Sequence, residues 1–277
     1  MLSICHISDL HFGPPYLPEV GERLRESVQR LAPQVIVASG DFTQRATPEQ
    51  FAAARAYLDT LPAVPTIVTP GNHDVPVYRV WERLTNPYGN YRQHISSELD
   101  TVTEVPGAVF VALNSMSPYT AITNGRIHER QLDFAAEVLS RHPDETLKVV
   151  VAHHHFAPAP DYEQTDVMPK AKRALDRFAE LGVDMILGGH LHRAYIGNSL
   201  DIYAGKQRDR GITIVQCGTS TSRRGRARER EKNSFNYIQA SDSEIVVTHQ
   251  MFLSKAGNFE AVGQHRFPRW PHRSLTT

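Results

Sequence analysis

The chain is expected to fold as an α/β protein, because short apolar runs rich in β-branched residues alternate with longer stretches of helical period, the pattern of βαβ units around a largely parallel sheet. Two further features refine that expectation. The early apolar runs each end in a polar cluster, and the last two runs follow one another across a short turn, which pairs them antiparallel in a second sheet.

In order, residues 2–8 read as a strand, 19–31 as a helix, 35–39 as a strand, 48–61 as a helix and 66–69 as a strand. Strands are then expected at 109–113, 148–152, 185–187 and 212–216, with helices at 128–139 and 170–181 between them. Residues 235–240 and 244–252 form the antiparallel pair. Residues 75–97 and 221–233 show no regular period and read as loops, which carry function more often than cores do. The stretch 255–277, with Phe267, Pro268, Trp270 and Pro271, also lacks a period, so the expected division is one domain over 1–253 and a C-terminal tail over 254–277.

A chain of 277 residues with 40% hydrophobic and 22% charged content can bury a full core. Lys plus Arg equals Asp plus Glu at 30 each, which argues against nucleic acid or a membrane surface as an obligatory partner. Cys5 and Cys217 both lie in strand-like runs and read as buried free thiols, consistent with a reducing compartment. The start MLSICHISDLHF lacks a basic stretch leading into a long apolar one, and no apolar run approaches ~18 residues. A cytoplasmic protein is expected.

The chemistry gathers at the strand ends: Asp9 and His11, then Asp41, then Asn72, His73 and Asp74, then His153, then His190 and His192. In open α/β sheets the crevice beyond the carboxyl ends of the strands is where sites form, so residues far apart in the chain can converge there. Carboxylate, amide oxygen and imidazole donors make a mixed N/O shell that suits Mn, Fe or Zn and needs no Cys. A carboxylate such as Asp41 can bridge two ions, because each oxygen can face a different one. Asp9 and His11, two apart on what reads as an extended segment, would point to one side, and so would His190 and His192. Gly40, Gly71 and Gly189 each stand just before a ligand, where the backbone needs positive φ or close approach.

The motifs DLH, GD, GNHD, AHHH and GHLH, in that order over roughly the first 220 residues, resemble the calcineurin-like metallophosphoesterase family. The layout is similar to its class III cyclic-nucleotide phosphodiesterase branch. That resemblance implies two mixed β-sheets packed as a sandwich and flanked by helices, an αββα arrangement. It implies two divalent ions, one held by Asp9, His11, Asp41 and His192 and the other by Asp41, Asn72, His153 and His190. It implies in-line attack on phosphorus by a metal-bound hydroxide, with His73 contacting the phosphate or protonating the leaving oxygen. Asp74 is expected to hold the His73 imidazole through a carboxylate contact.

Several readings stay open at this level. A one-residue shift would substitute His154 for His153, although strand-end position favours His153. Asp74 beside a turn could serve only to cap a helix C-terminal to it. The Arg-rich loop at 223–232 could clamp substrate phosphate, but Glu229 and Glu231 interleave with its arginines, and a solvated, self-neutralising loop is the stronger expectation. Tyr88 and Tyr91 could stack on a nucleobase or pack their insertion down. The function expected is hydrolysis of a small, nucleotide-like phosphodiester. A phosphomonoesterase, a DNA nuclease and a non-catalytic metal-binding scaffold are the alternatives, and dimerisation through the late strands or the tail is left open. Substrate choice would rest on 75–97, 119–126 and the Arg-rich loop.

Overall fold

Strand β1 (Leu2–Ile7) buries side chains of both parities, Ile4 toward one layer and Cys5 and Ile7 toward another, so it must be covered on two faces. The computed structural model, which describes residues 1–119, 124–158, 167–201, 211–226 and 229–269, shows what covers it. After β1 come α1 (Pro18–Leu31), β2 (Val35–Ala38), α2 (Pro48–Leu58), β3 (Thr66–Val68), α3 (Val80–Thr85) and α4 (Gly89–His94). The middle of the chain supplies β4 (Thr101–Val105), β5 (Ala108–Ala112), α5 (Glu129–Leu139), β6 (Leu147–Val151), α6 (Ala171–Glu180) and β7 (Met185–Gly188). The last elements are β8 (Tyr195–Asn198), β9 (Thr213–Gln216), β10 (Ser234–Ala240), β11 (Glu244–Leu253) and β12 (Asn258–Pro268).

These strands form two six-stranded sheets, in the orders β12-β11-β10-β1-β2-β3 and β4-β5-β6-β7-β9-β8. The first is parallel across β1-β2-β3 and antiparallel from β1 outward through β10, β11 and β12. The second is parallel from β5 to β9 through β6 and β7, with antiparallel edges β4 and β8. The sheets pack face to face through Ile4, Val37, Phe110, Val149 and Leu187. The outer face of the first meets α1 and α2 through Leu24, Val28 and Phe51, and that of the second meets α5 and α6 through Leu132, Leu175 and Phe178. This is the four-layer αββα arrangement.

The helices form where local chemistry directs them. Helix α1 opens on a proline at its first turn, carries Glu19 at the positive end and Arg30 at the negative end, and buries Val20, Leu24 and Val28 on one stripe. Helix α2 is capped by Thr47, whose side chain accepts from the Gln50 amide at 3.3 Å.

Two regions differ from what the sequence leads one to expect. Residues 75–97, read as a loop, contain the one-and-a-half-turn helices α3 and α4, too short to show a period. Tyr91 of α4 is buried against Phe42 and Phe51, and the Tyr88 hydroxyl donates to the Met116 carbonyl at 3.1 Å, so these aromatics pack the segment down. Within the expected tail, residues 258–268 are strand β12, with the 253/254 boundary falling in the β11–β12 turn. As an edge strand it is exposed along most of its length, so no apolar alternation marks it. Beyond it, buried Arg269 donates to the Ser241 and Glu145 carbonyls, at 2.7 and 3.1 Å, and pairs with Asp184 at 3.4 Å. Trp270 and Pro271 lie outside the described residues. Cys5 and Cys217 are free and buried, and no helix among the described residues is long and apolar enough to cross a membrane.

Candidate metal centre

The parallel strands of both sheets end at one edge of the sandwich, and each exit carries a polar side chain. Asp9 and His11 follow β1, Asp41 follows β2, and Asn72 opens a 3₁₀ turn after β3; His153 follows β6, and His190 and His192 follow β7. The extended D-x-H and H-x-H segments expected from the sequence are instead left-handed. Asp9 (φ 53°), His11 (52°), Asp41 (53°), His190 (74°) and His192 (54°) all have positive φ. Such backbone costs about 1–2 kcal/mol per residue, least for Asp, Asn and His, and persists only where the surroundings impose it. Here the Asp9 amide donates to the Gly40 carbonyl (3.0 Å) and the His11 amide to the Asp41 carbonyl (2.9 Å), tying the two turns together. Gly40, at φ 97°, leaves room that a Cβ would take from His153 Nδ1, 2.7 Å away, and a Cβ on Gly71 would overlap the Asp41 carboxylate.

Two donor sets result. Ligand atoms of Asp9, His11, Asp41 and His192, all buried, lie within 4.8 Å of one another. His11 Nε2 is 3.0 Å from His192 Nε2, 3.6 Å from Asp9 Oδ1 and 3.7 Å from Asp41 Oδ2. On the other side of Asp41, His153 Nε2 is 3.5 Å from the same Oδ2 and 3.2 Å from Asn72 Oδ1, which lies 2.8 Å from His190 Nδ1. His153 rather than His154 therefore faces Asp41 and Asn72. His154 Nδ1 is bonded to Ser115 Oγ at 2.8 Å, and the His154 and His155 rings pack on His190 at 4.6 and 5.7 Å.

The donor chemistry fits a pair of divalent cations. Asp9 Oδ1 and Asp41 Oδ2 are buried without hydrogen-bond partners among the described residues, an arrangement that is costly unless a cation faces them. Burial alone would raise both carboxyls, yet the imidazoles of His11 and His192 facing Asp9, and the charges of His153 and His73 near Asp41, hold both well below the ordinary range. Burial lowers His11 to about 4 and His190 well below its usual value, leaving both imidazoles neutral and able to donate lone pairs. His153 is the exception: burial lowers it, but Asp41 outweighs burial and raises it to about 9, so this imidazole carries the proton that a cation would replace. Its Nδ1–H donates to the Ser39 carbonyl at 2.7 Å, aiming Nε2 at Asp41 and Asn72.

His73 is half-buried beside His11, ring centroids 4.8 Å apart, with its amide donating to Asp41 Oδ1 at 2.7 Å. Its Nδ1 lies 2.9 Å from the Gln44 carbonyl, which sets the tautomer with Nδ1 protonated and Nε2 free to accept. The contact expected between Asp74 and this imidazole is not made. The Asp74 carboxylate accepts instead from the amides of Gly71 (2.9 Å), Thr43 (2.9 Å) and Phe42 (3.2 Å), stitching the GNHD turn to the backbone after Asp41. Burial, with the Asp41 charge nearby, raises it to about 7 despite those bonds.

Some supporting residues had no motif to mark them. Thr219 Oγ1 donates to the Asp9 carbonyl at 2.7 Å, Thr221 Oγ1 to the Leu10 carbonyl at 2.9 Å, and the Ser220 amide to the Ser8 carbonyl at 3.0 Å. Four successive hydroxyl residues, Thr219 to Ser222, shortly after strand β9 were the available signal. The Arg-rich loop also departs from the solvated reading. Glu229 is buried, taking the Ala194 amide at 2.8 Å and Ser234 Oγ at 2.7 Å, with His249 Nε2 at 3.5 Å, and so anchors the loop; residues 227 and 228 lie outside those described. Glu229→Ala should leave those donors unmatched and cost about 2–3 kcal/mol in urea unfolding, whereas Glu231→Ala, at an exposed position, should stay within about 0.5 kcal/mol.

With this geometry in view, the family comparison is decisive. The calcineurin-like phosphoesterase model matches residues 2–194, well over half the chain. The chain belongs to the calcineurin-like phosphoesterase family. This calcineurin-like phosphoesterase is 28% identical over 211 residues to a probable cyclic nucleotide phosphodiesterase of Rhodococcus erythropolis, covering 68% of this chain and 64% of that protein. It is 27% identical over 161 residues to the 3′,5′-cyclic adenosine monophosphate phosphodiesterase CpdA of Haemophilus influenzae, covering 57% of this chain and 54% of that one. The chain thus spans less than two thirds of the length of these relatives. The purple acid phosphatase PPD1 of yellow lupin shares its fold, with a TM-score of 0.68 at 14% identity over 97% of this chain and 54% of that one.

Proposed function

We propose that the protein is a metal-dependent phosphoesterase that hydrolyses a small, nucleotide-like phosphodiester. The observation that carries this reading is the single carboxylate oxygen, Asp41 Oδ2, lying 3.7 Å from His11 Nε2 and 3.5 Å from His153 Nε2, between two sets of imidazole, amide and carboxylate groups. In this reading Asp9, His11, Asp41 and His192 hold one ion, and Asp41, Asn72, His153 and His190 the other. Two such cations, of Mn, Fe or Zn, supply Lewis acidity toward the phosphoryl oxygens and an acidified water.

The chain's own residues supply orientation and a proton site. His73, locked by the Gln44 carbonyl, presents Nε2 beside His11, where it can carry the proton given to the leaving oxygen. Asp74 keeps the turn that carries Asn72 and His73 rigid. A base-bearing leaving group is supported by Tyr78, just before α3, and Trp81 within it, 81% and 79% exposed beside a helix that buries no residue. That helix is tied to the loop after Asp41, because Arg79 donates to the carbonyls of Arg45 (3.0 Å) and Ala46 (2.8 Å). The likeness to cyclic-nucleotide phosphodiesterases and the buried free thiols support a nucleotide substrate and a reducing compartment.

Metal-stripped protein should be inert and should recover hydrolysis of bis-p-nitrophenyl phosphate on titration with Mn²⁺, with p-nitrophenyl phosphate turned over more slowly. Trp81→Ala should raise KM for a cyclic nucleotide by about 5- to 20-fold and leave that for a glycerophosphodiester unchanged. Faster monoester turnover would overturn the diester assignment. Protein that binds metal yet turns over neither ester would sink the enzymatic one.

A further inference from the structure

The Arg-rich loop sends one side chain toward the centre. Arg224 is half-buried, and its Nη1 donates to Gln44 Oε1 at 3.2 Å. That is the guanidinium's one hydrogen bond among the described residues, and its Nε, inaccessible to solvent, has no acceptor there. A guanidinium offers five N–H donors in a planar fork, so a half-buried one with a single neutral partner is under-used. It lies close enough to Asp41 and Asp9 for their charges to act on it, which places it near the donor sets.

The backbone on either side of Arg224 is fixed. The Arg223 amide donates to the Pro15 carbonyl at 3.0 Å, the Arg226 amide to the His192 carbonyl at 3.1 Å, and Asn233 Nδ2 to the Ser222 carbonyl at 2.8 Å. The side chain is therefore delivered by a strapped loop, not by a free one. Its partner Gln44 is equally informative, since the same side-chain amide has Nε2 at 3.4 Å from His73 Nδ1 while the Gln44 main-chain carbonyl fixes that ring at 2.9 Å. Gln44 stands between the arginine and the imidazole, a neutral acceptor that an oxyanion readily replaces.

We propose that Arg224 is a substrate-holding residue: when a phosphate ester enters, its guanidinium exchanges Gln44 Oε1 for the anionic phosphoryl oxygens, gripping them through its paired N–H groups. The inference rests on the phosphoesterase reading and adds to it a protein group that holds the ester's charge. Lys cannot reproduce a two-point grip, so charge alone does not suffice.

The test is calorimetric binding of inorganic phosphate to Mn²⁺-loaded wild type, Arg224→Lys and Arg224→Ala, with metal content and Tm measured on each and KM and kcat on bis-p-nitrophenyl phosphate. Arg224→Ala should keep its metals and Tm while its phosphate Kd rises about 10- to 100-fold, with KM rising alongside. Arg224→Lys should recover only part of the loss. Unchanged phosphate affinity in Arg224→Ala overturns the proposal. Should Arg224→Ala not fold, a lysine variant with wild-type affinity overturns it equally. Wild type that binds phosphate through Arg224 but hydrolyses no ester sinks the phosphoesterase reading and leaves the arginine's role standing; active wild type with an indifferent Arg224 does the reverse.

Discussion

Asp41→Ala protein should lose at least about 10³-fold in kcat/KM, because in the proposed function two cations would share this carboxylate and supply several kcal/mol of transition-state charge stabilisation. The loss should not be confined to turnover. Asp41 Oδ2 faces His11 on one side and His153 on the other, and Oδ1 accepts from the His73 amide at 2.7 Å, so truncation opens both donor sets and frees the GNHD turn at once. Metal analysis should find the variant below two ions per chain at Mn²⁺ concentrations that saturate the wild type. His73→Ala is the contrast: it removes no atom of either donor set, so it should retain both ions while losing about 10²–10⁴-fold in kcat, the usual worth of a positioned proton donor. An Asp41→Ala protein with full metal content and near wild-type turnover would contradict the shared-ligand arrangement.

Chelation should destabilise the fold itself. Five of the residues facing the centre sit in left-handed backbone, and two buried carboxylate oxygens lack partners among the described residues. Cations that bind only the native arrangement stabilise it by about 4 kcal/mol at a thousand-fold excess over Kd. At about 2–4 °C per kcal/mol for a chain near this size, EDTA should lower Tm by about 8–16 °C, and Mn²⁺ should restore it. Asp41→Ala should be far less sensitive to EDTA. A wild-type Tm that moves by less than about 2 °C would mean that the strain and the buried charge are held by the protein alone.

The parallel strands, the four long helices and the αββα class were legible because burial on both faces writes near-continuous apolar runs, as in Val149 to Val151 and Ile186 to Leu187. What escaped had a physical reason to. Strand β12 lies at a solvated edge and needs no apolar face, and β4 and β8, likewise at edges, leave only short mixed runs. The residues around the centre could be named from strand-end position and motif, but their backbone could not. Alternation suggested extended D-x-H and H-x-H segments, whereas the bonds that bend the first come from Gly40 and Asp41, about thirty residues away, and the His190 amide of the second donates to Asp9 Oδ2 at 3.1 Å. Asp74 shows the same limit: adjacency to His73 suggested a contact, and only the three converging amides of Gly71, Phe42 and Thr43 reveal what its carboxylate does.

The position of β1 bears on how the protein is made. Its neighbours are β2, at Val35–Ala38, and β10, at Ser234–Ala240, and the straps over Asp9 and Leu10 come from Thr219 and Thr221. A ribosome adding about 5–20 residues per second has therefore released the first carboxylate long before the strand that will shelter it exists. Metal loading at this centre would then be a late event in biosynthesis, and a chain stalled before β10 would carry all the candidate donor side chains with no finished site to put them in.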